Sequence, residues 1–136
     1  MDIVRKINYF KVETADRPGE GARVLSVFLD AGINLLGFTG FPQGRKAQID
    51  FIPEDTAAFQ AAAKRAKLKI GAKKSGFLVQ GEDRIGAIAE IMSKLAGSKI
   101  NVTAIDALCT GDGRYGALLW VKPRDIRKAA QALNAL

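Results

Sequence analysis

The sequence predicts an α+β protein made of two copies of one βαββαβ unit, the second copy lacking its last strand. Three observations carry this: a long internal repeat, an amphipathic helical stretch following an alternating segment, and turn signals set between apolar segments in both copies. Sliding the 136-residue chain by 67 positions, from Asp16 to Asp83, lays DRPGEGARVLSVFLDAGINLLGF on DRIGAIAEIMSKLAGSKINVTAI without a gap. Arg17 meets Arg84, Gly19 meets Gly86, Ser26 meets Ser93, and Ile33-Asn34 meets Ile100-Asn101. After a three-residue insertion the match resumes with Pro53 on Pro123 and Asp55 on Asp125, so the chain divides into repeats at 1–73 and 74–136.

Each repeat opens on a strand: an alternating run through Ile7, Tyr9 and Lys11 against Asn8, Phe10 and Val12 in the first, and FLVQG in the second. A helix follows. Its apolar stripe reads Ile85, Ile88, Ala89, Met92 and Leu95 in the second copy and Gly21, Leu25, Phe28 and Gly32 in the first, with Gly32 ending it. INLLGFTGF and NVTAIDALC come next, turning back at Gln43-Gly44 and Asp112-Gly113 into the return strands AQIDFI and GALLWV. Pro53 and Pro123 stop those strands, and Asp55 and Asp125 are placed to cap the helices beyond them. LKIGAKK supplies a fourth strand for the first copy, whereas the second copy reaches Leu136 without one. That predicts an open sheet edge, with Leu118 and Trp120 on one face of their strand and Ala117, Leu119 and Val121 on the other.

Composition narrows the chemistry. With 48% hydrophobic and 26% charged residues the chain reads as globular, and its apolar runs are too short to span a bilayer or to serve as a signal peptide, so a cytoplasmic protein is expected. The single Cys109 can form no internal disulfide, and the lack of histidine removes the commonest metal ligand and general base. No metal or cofactor is expected. The net charge of +7 is concentrated in Lys64, Arg65, Lys67, Lys69, Lys73 and Lys74, with no aromatic among them to stack on a base.

A βαββαβ unit is the ferredoxin-like topology, which serves enzymes, RNA binders and regulatory modules alike. The motifs discriminate. Asp16-Arg17-Pro18-Gly19 opening a helix, then Gly32-Ile33-Asn34-Leu35 opening a strand, then a glycine hairpin, resembles the ACT domain, a small-molecule sensing module of amino-acid metabolism. Asp83-Arg84-Ile85-Gly86 with Lys99-Ile100-Asn101-Val102 is a weaker copy. The resemblance covers nearly the whole chain and implies a ligand, usually an amino acid, held between the strand-to-helix loop of one copy and the second strand of a neighbouring copy. Residue by residue it points to Asp16, Arg17, Pro18, Gly19, Ile33, Asn34, Leu35, Asp83, Gly86, Ile100 and Asn101 as ligand-binding.

Physical chemistry supports such a site, because a helix start offers unpaired N–H groups and a positive dipole end to a carboxylate. Structural roles remain open for the same residues: Asp16 and Asp83 as helix caps, Gly19 and Gly86 for close packing, Asn34 and Asn101 for strand-end backbone groups, Arg17 and Arg84 as ion-pair partners. An RNA-binding module using the basic surface is the alternative, but KAQIDFI and RYGALLWV lack the stacking aromatics at the spacing such modules use. No two acids recur at a spacing that suggests catalysis. The expectation is therefore a non-enzymatic, amino-acid-binding regulatory protein that forms a homodimer and acts on a separate enzyme, with neither membrane nor nucleic acid as partner.

Overall fold

The computed structural model describes residues 2–136. The elements run β1 (Ile3–Ala15), α1 (Glu20–Asp30), β2 (Leu35–Gln43), β3 (Lys46–Pro53), α2 (Thr56–Arg65), β4 (Lys74–Glu82), α3 (Ala87–Gly97), β5 (Val102–Cys109), β6 (Arg114–Val121) and α4 (Ile126–Ala132), with a 3-10 turn at Pro123–Asp125 before α4. Both repeats thus show the expected α+β order. No helix among the described residues is long and apolar enough to cross a membrane.

The chain falls into two compact units, one of Asn8–Lys74 and one of the chain through Ile7 together with Ser75–Leu136. In the first unit the strands lie β2–β3–β1, all antiparallel, with Phe10 and Phe38 both opposite Phe51. Alternation along β1 turns Phe10 and Val12 inward, where they meet Val24 and Phe28 of α1 and Phe59 of α2. The Phe28 and Phe59 rings stack with centroids 4.2 Å apart, and Phe10 stacks on Phe59 at 5.0 Å. Such pairs add about 0.5–1.5 kcal/mol each beyond their buried area.

In the second unit β4 and β6 pair antiparallel with Phe77 opposite Leu119, β5 pairs with β6, and the order is β1–β4–β6–β5. Ala117, Leu119 and Val121 face the core with Ile91 and Leu95 of α3 and Leu133. The expected open edge beside β4 is filled. The start of β1 is hydrogen-bonded there, Val4 enters this core at 5% exposure, and the Leu136 N–H donates to the Val4 carbonyl at 2.8 Å. Unpaired strand groups need partners, and β1, at 13 residues, is long enough to serve both units. Trp120 is likewise buried, at 6% exposure.

Two local expectations are corrected. Leu68–Lys73 forms no regular strand: one bond, from the Gly71 N–H to the Lys11 carbonyl at 2.8 Å, ties it to β1, and only Leu68 and Ile70 contribute apolar surface to the core. The buried stripe of α3 is Ala87, Ile91 and Leu95; Ile85 and Met92 are exposed. The helix starts two residues after Ile85, which leaves that side chain in the loop and rotates the stripe by one position.

All four helices end alike. The residue after each C-cap, Gly32, Lys67, Lys99 or Asn134, has positive φ, and the next N–H reaches back five residues, as from Ile33 to Phe28 and from Ile100 to Leu95. This is the Schellman closure, which satisfies carbonyls the helix cannot pair internally.

Candidate functional site

The helix starts differ from one another. Asp55 caps α2, its Oδ1 accepting from the Ala58 N–H at 3.0 Å. Asp125 stands at the N-cap of α4, where its side chain makes no capping bond. Neither Asp16 nor Asp83 caps a helix: the N-cap residues of α1 and α3 are Gly19 and Gly86, at φ 87° and 84°, and no side chain bonds to either helix start. Positive φ is the reason for glycine at both places, since any other residue would be strained there. Each helix takes its first internal bond on the N-cap carbonyl, with Arg23 N–H donating to Gly19 O and Glu90 N–H to Gly86 O, both at 2.9 Å. The amides of Gly21 and Ala22, and of Ile88 and Ala89, therefore face outward from uncapped helix starts.

Around the first loop, Asp16, Arg17, Pro18 and Gly19 are all exposed. Arg17 makes no ion pair or side-chain hydrogen bond among the described residues, while Glu20 is held by Arg23 at 3.3 Å. That contact to Arg23 holds the Glu20 carboxyl below its usual range. The second loop is different. Arg84 spans Asp2 at 3.1 and 3.2 Å and Glu90 at 2.9 Å, and its Nη1 also donates to the Glu82 carbonyl at 3.3 Å. The Arg84 contact holds Asp2 and Glu90 below the usual carboxylate range.

The asparagines lie at the far ends of their helices. Asn34 follows the 11-residue α1, so about 16 Å of helix separates it from Gly19, and Asn101 stands in the same relation to Gly86. Within one repeat, loop and asparagine do not meet. Asn34 is engaged: its Nδ2 donates to Glu54 Oε2 at 3.0 Å, and the Glu54 N–H returns a bond to its carbonyl at 3.0 Å. Asn101 is exposed with no such partner among the described residues. Ile33 and Leu35 pack half-buried on the first core, and Ile100 is buried in the second.

A groove of about 300 Å³ runs beside the second loop, lined by Asp83, Gly86 and Ile88 with Leu108, Cys109 and Tyr115. Leu108 and Tyr115 escaped the sequence reading; their signal is register, because Tyr115 stands opposite Cys109 across β5 and β6. A hydrogen bond with Asp83 pushes the Cys109 thiol up, which suppresses its thiolate. Asp2 also escaped notice, lying 82 residues from Arg84 in sequence.

No protein-family model matches the sequence, and no curated protein matches it. Solved structures do. The regulatory subunit of aspartate kinase from Thermus thermophilus, in its ligand-free form, matches with a TM-score of 0.65 at 15% identity, over 98% of this chain and 94% of that one. The chain has the tandem ACT-type fold. The corresponding subunit from Thermus flavus matches at 0.62 with 18% identity over the same shares, and protein BT0572 from Bacteroides thetaiotaomicron at 0.82 with 14% identity, over 98% of this chain and 88% of that one. At such identities the likeness is one of fold, and two of these neighbours are regulatory subunits of aspartate kinase.

Proposed function

We propose that this chain is a non-enzymatic, cytoplasmic regulatory protein that binds an amino acid through its first D-R-P-G loop and acts on a separate enzyme. The observation that carries the reading is the uncapped, glycine-started α1 with an unpaired arginine beside it, in a fold shared with aspartate kinase regulatory subunits. A carboxylate fits between Arg17 and the outward amides of Gly21 and Ala22, where the helix dipole favours negative charge. An asparagine side-chain oxygen can accept from the ligand ammonium. Because loop and asparagine are far apart within a repeat, the asparagine comes from a repeat other than the one supplying the loop. A ligand bridging two repeats shifts any equilibrium between arrangements in which they do and do not meet, by its differential affinity for the two.

A homodimer belongs to this reading. β5 is an edge strand with only Val102 and Ile105 half-buried, and it carries no lysine to discourage pairing. Calorimetric titration of the protein with each standard L-amino acid tests the function: saturable binding of one or a few, abolished by Arg17→Ala with the fold retained, is expected. Unchanged affinity in Arg17→Ala would displace the site from the first loop.

A further inference from the structure

Asp2 comes from the first residues of the chain, yet its carboxylate lies against the second D-R-x-G loop. Both its oxygens accept from Arg84, Oδ1 from Nη1 at 3.1 Å and Oδ2 from Nη2 at 3.2 Å, a two-pronged geometry that matches how a guanidinium holds a free carboxylate. The Asp2 side chain is 12% exposed, which makes this more than a loose surface pair. Space has been made for it: a Cβ on Gly81 would collide with Asp2 Oδ1 and stand 2.9 Å from the Tyr115 ring. Glu90, on the first turn of α3, takes the remaining side of the same guanidinium.

The first loop has none of this. Position 23, the counterpart of Glu90, is an arginine that pairs with Glu20, and among the described residues no carboxylate forms a close ion pair with Arg17, the Glu20 charge acting on it only at longer range. We propose that Asp2 occupies, at the second loop, the place of a ligand carboxylate. The second D-R-x-G loop is then a latch that holds the N-terminal strand in its unit, and the chain has one open arginine loop where the repeat suggests two. That this is a place a ligand would take rests on the function proposed above; the two-pronged Asp2–Arg84 pair and the latch it forms do not.

Replacing the internal carboxylate tests this by chemical rescue. In Asp2→Ala, sodium acetate should raise the melting temperature above that in sodium chloride of equal ionic strength, since a ligand bound to the native state stabilises it by mass action. The acetate effect on the wild type, confined to its open first loop, should be smaller, and Asp2→Ala/Arg84→Met should fall back to the wild-type effect. Acetate stabilising Asp2→Ala no more than it stabilises the wild type would overturn the proposal. Should Asp2→Ala fail to fold, arginine side-chain NMR of the wild type gives a second reading: acetate should leave the Arg84 Nε signal unmoved, and a saturable Arg84 shift would overturn the proposal. Failure of every amino acid to bind the wild type would strike the proposed function and leave the rescue result intact.

Discussion

Gly32 and Lys99 stand at the same place in the two repeats and hold the same left-handed backbone, at φ 69° and 58°, although only one of them is a glycine. Each donates its N–H to the residue three before it, at 3.0 and 2.9 Å, so the closure survives the loss of glycine in the second repeat. A side chain in this conformation costs about 1–2 kcal/mol, partly offset by the lower unfolded-state entropy of a non-glycine residue. Lys99→Gly should therefore stabilise the protein by about 1 kcal/mol, raising the urea midpoint with the slope unchanged. An unchanged or lowered midpoint would show that the Lys99 side chain makes compensating contacts.

Gly21 carries no such backbone need. It lies inside α1, and a Cβ built there meets nothing within 4 Å. Alanine is favoured over glycine within helices by about 1 kcal/mol, so Gly21→Ala should stabilise the fold by up to that amount. If a ligand carboxylate uses the Gly21 amide, the same variant should bind its amino acid more weakly. Greater stability with undiminished binding would place the ligand elsewhere.

Acid should loosen the second unit. Arg84 holds Asp2 below the usual carboxylate value of 3.8, and holds Glu90 low in the same way. Folded carboxyls with depressed pKa values contribute stability above their unfolded values that is lost as pH falls through the folded ones. The urea midpoint should drop below about pH 4, and Asp2→Asn should flatten part of that drop. An equal drop in the variant would mean that other carboxyls carry it. At the alkaline end, burial, with Asp2 beside the ring, pushes the Tyr115 phenol up to about 12, so it should ionise late by absorbance at 295 nm. Its share of stability is lost as pH rises from the ordinary value of 10.0 towards 12.

Association should run through β5 and not through Trp120, which is buried in its own unit. Leu108 is 65% exposed on that edge strand. Light scattering should report a dimer at micromolar concentration and a weakened one for Leu108→Lys. A wild-type monomer, or a variant that remains fully dimeric, would remove β5 from the interface.

The repeat was legible because Asp16-Arg17, Gly19 and Ile33-Asn34 recur at a constant spacing, and constant spacing means a repeated path of the chain. Helix and strand types followed from periodicity, and the Asp55 cap from local chemistry. What escaped depended on distance along the chain. Nothing near Asp2 points to Arg84, and nothing near Leu136 points to Val4, because the closing of the second unit joins the two ends of the sequence. The role of Gly19 and Gly86 as left-handed caps was hidden by the aspartates before them, which fit a cap in sequence but stand too early in the loop. Which arginine is engaged and which is open was invisible in two nearly identical motifs, since the difference lies in partners outside them.

Titration calorimetry of the wild type against the standard L-amino acids, repeated with Arg17→Ala, decides whether the first loop holds a ligand. Saturable binding of at least one amino acid is expected, with one arginine loop engaged per chain, and its loss in Arg17→Ala. Silence across the whole set, or binding indifferent to Arg17, would contradict it.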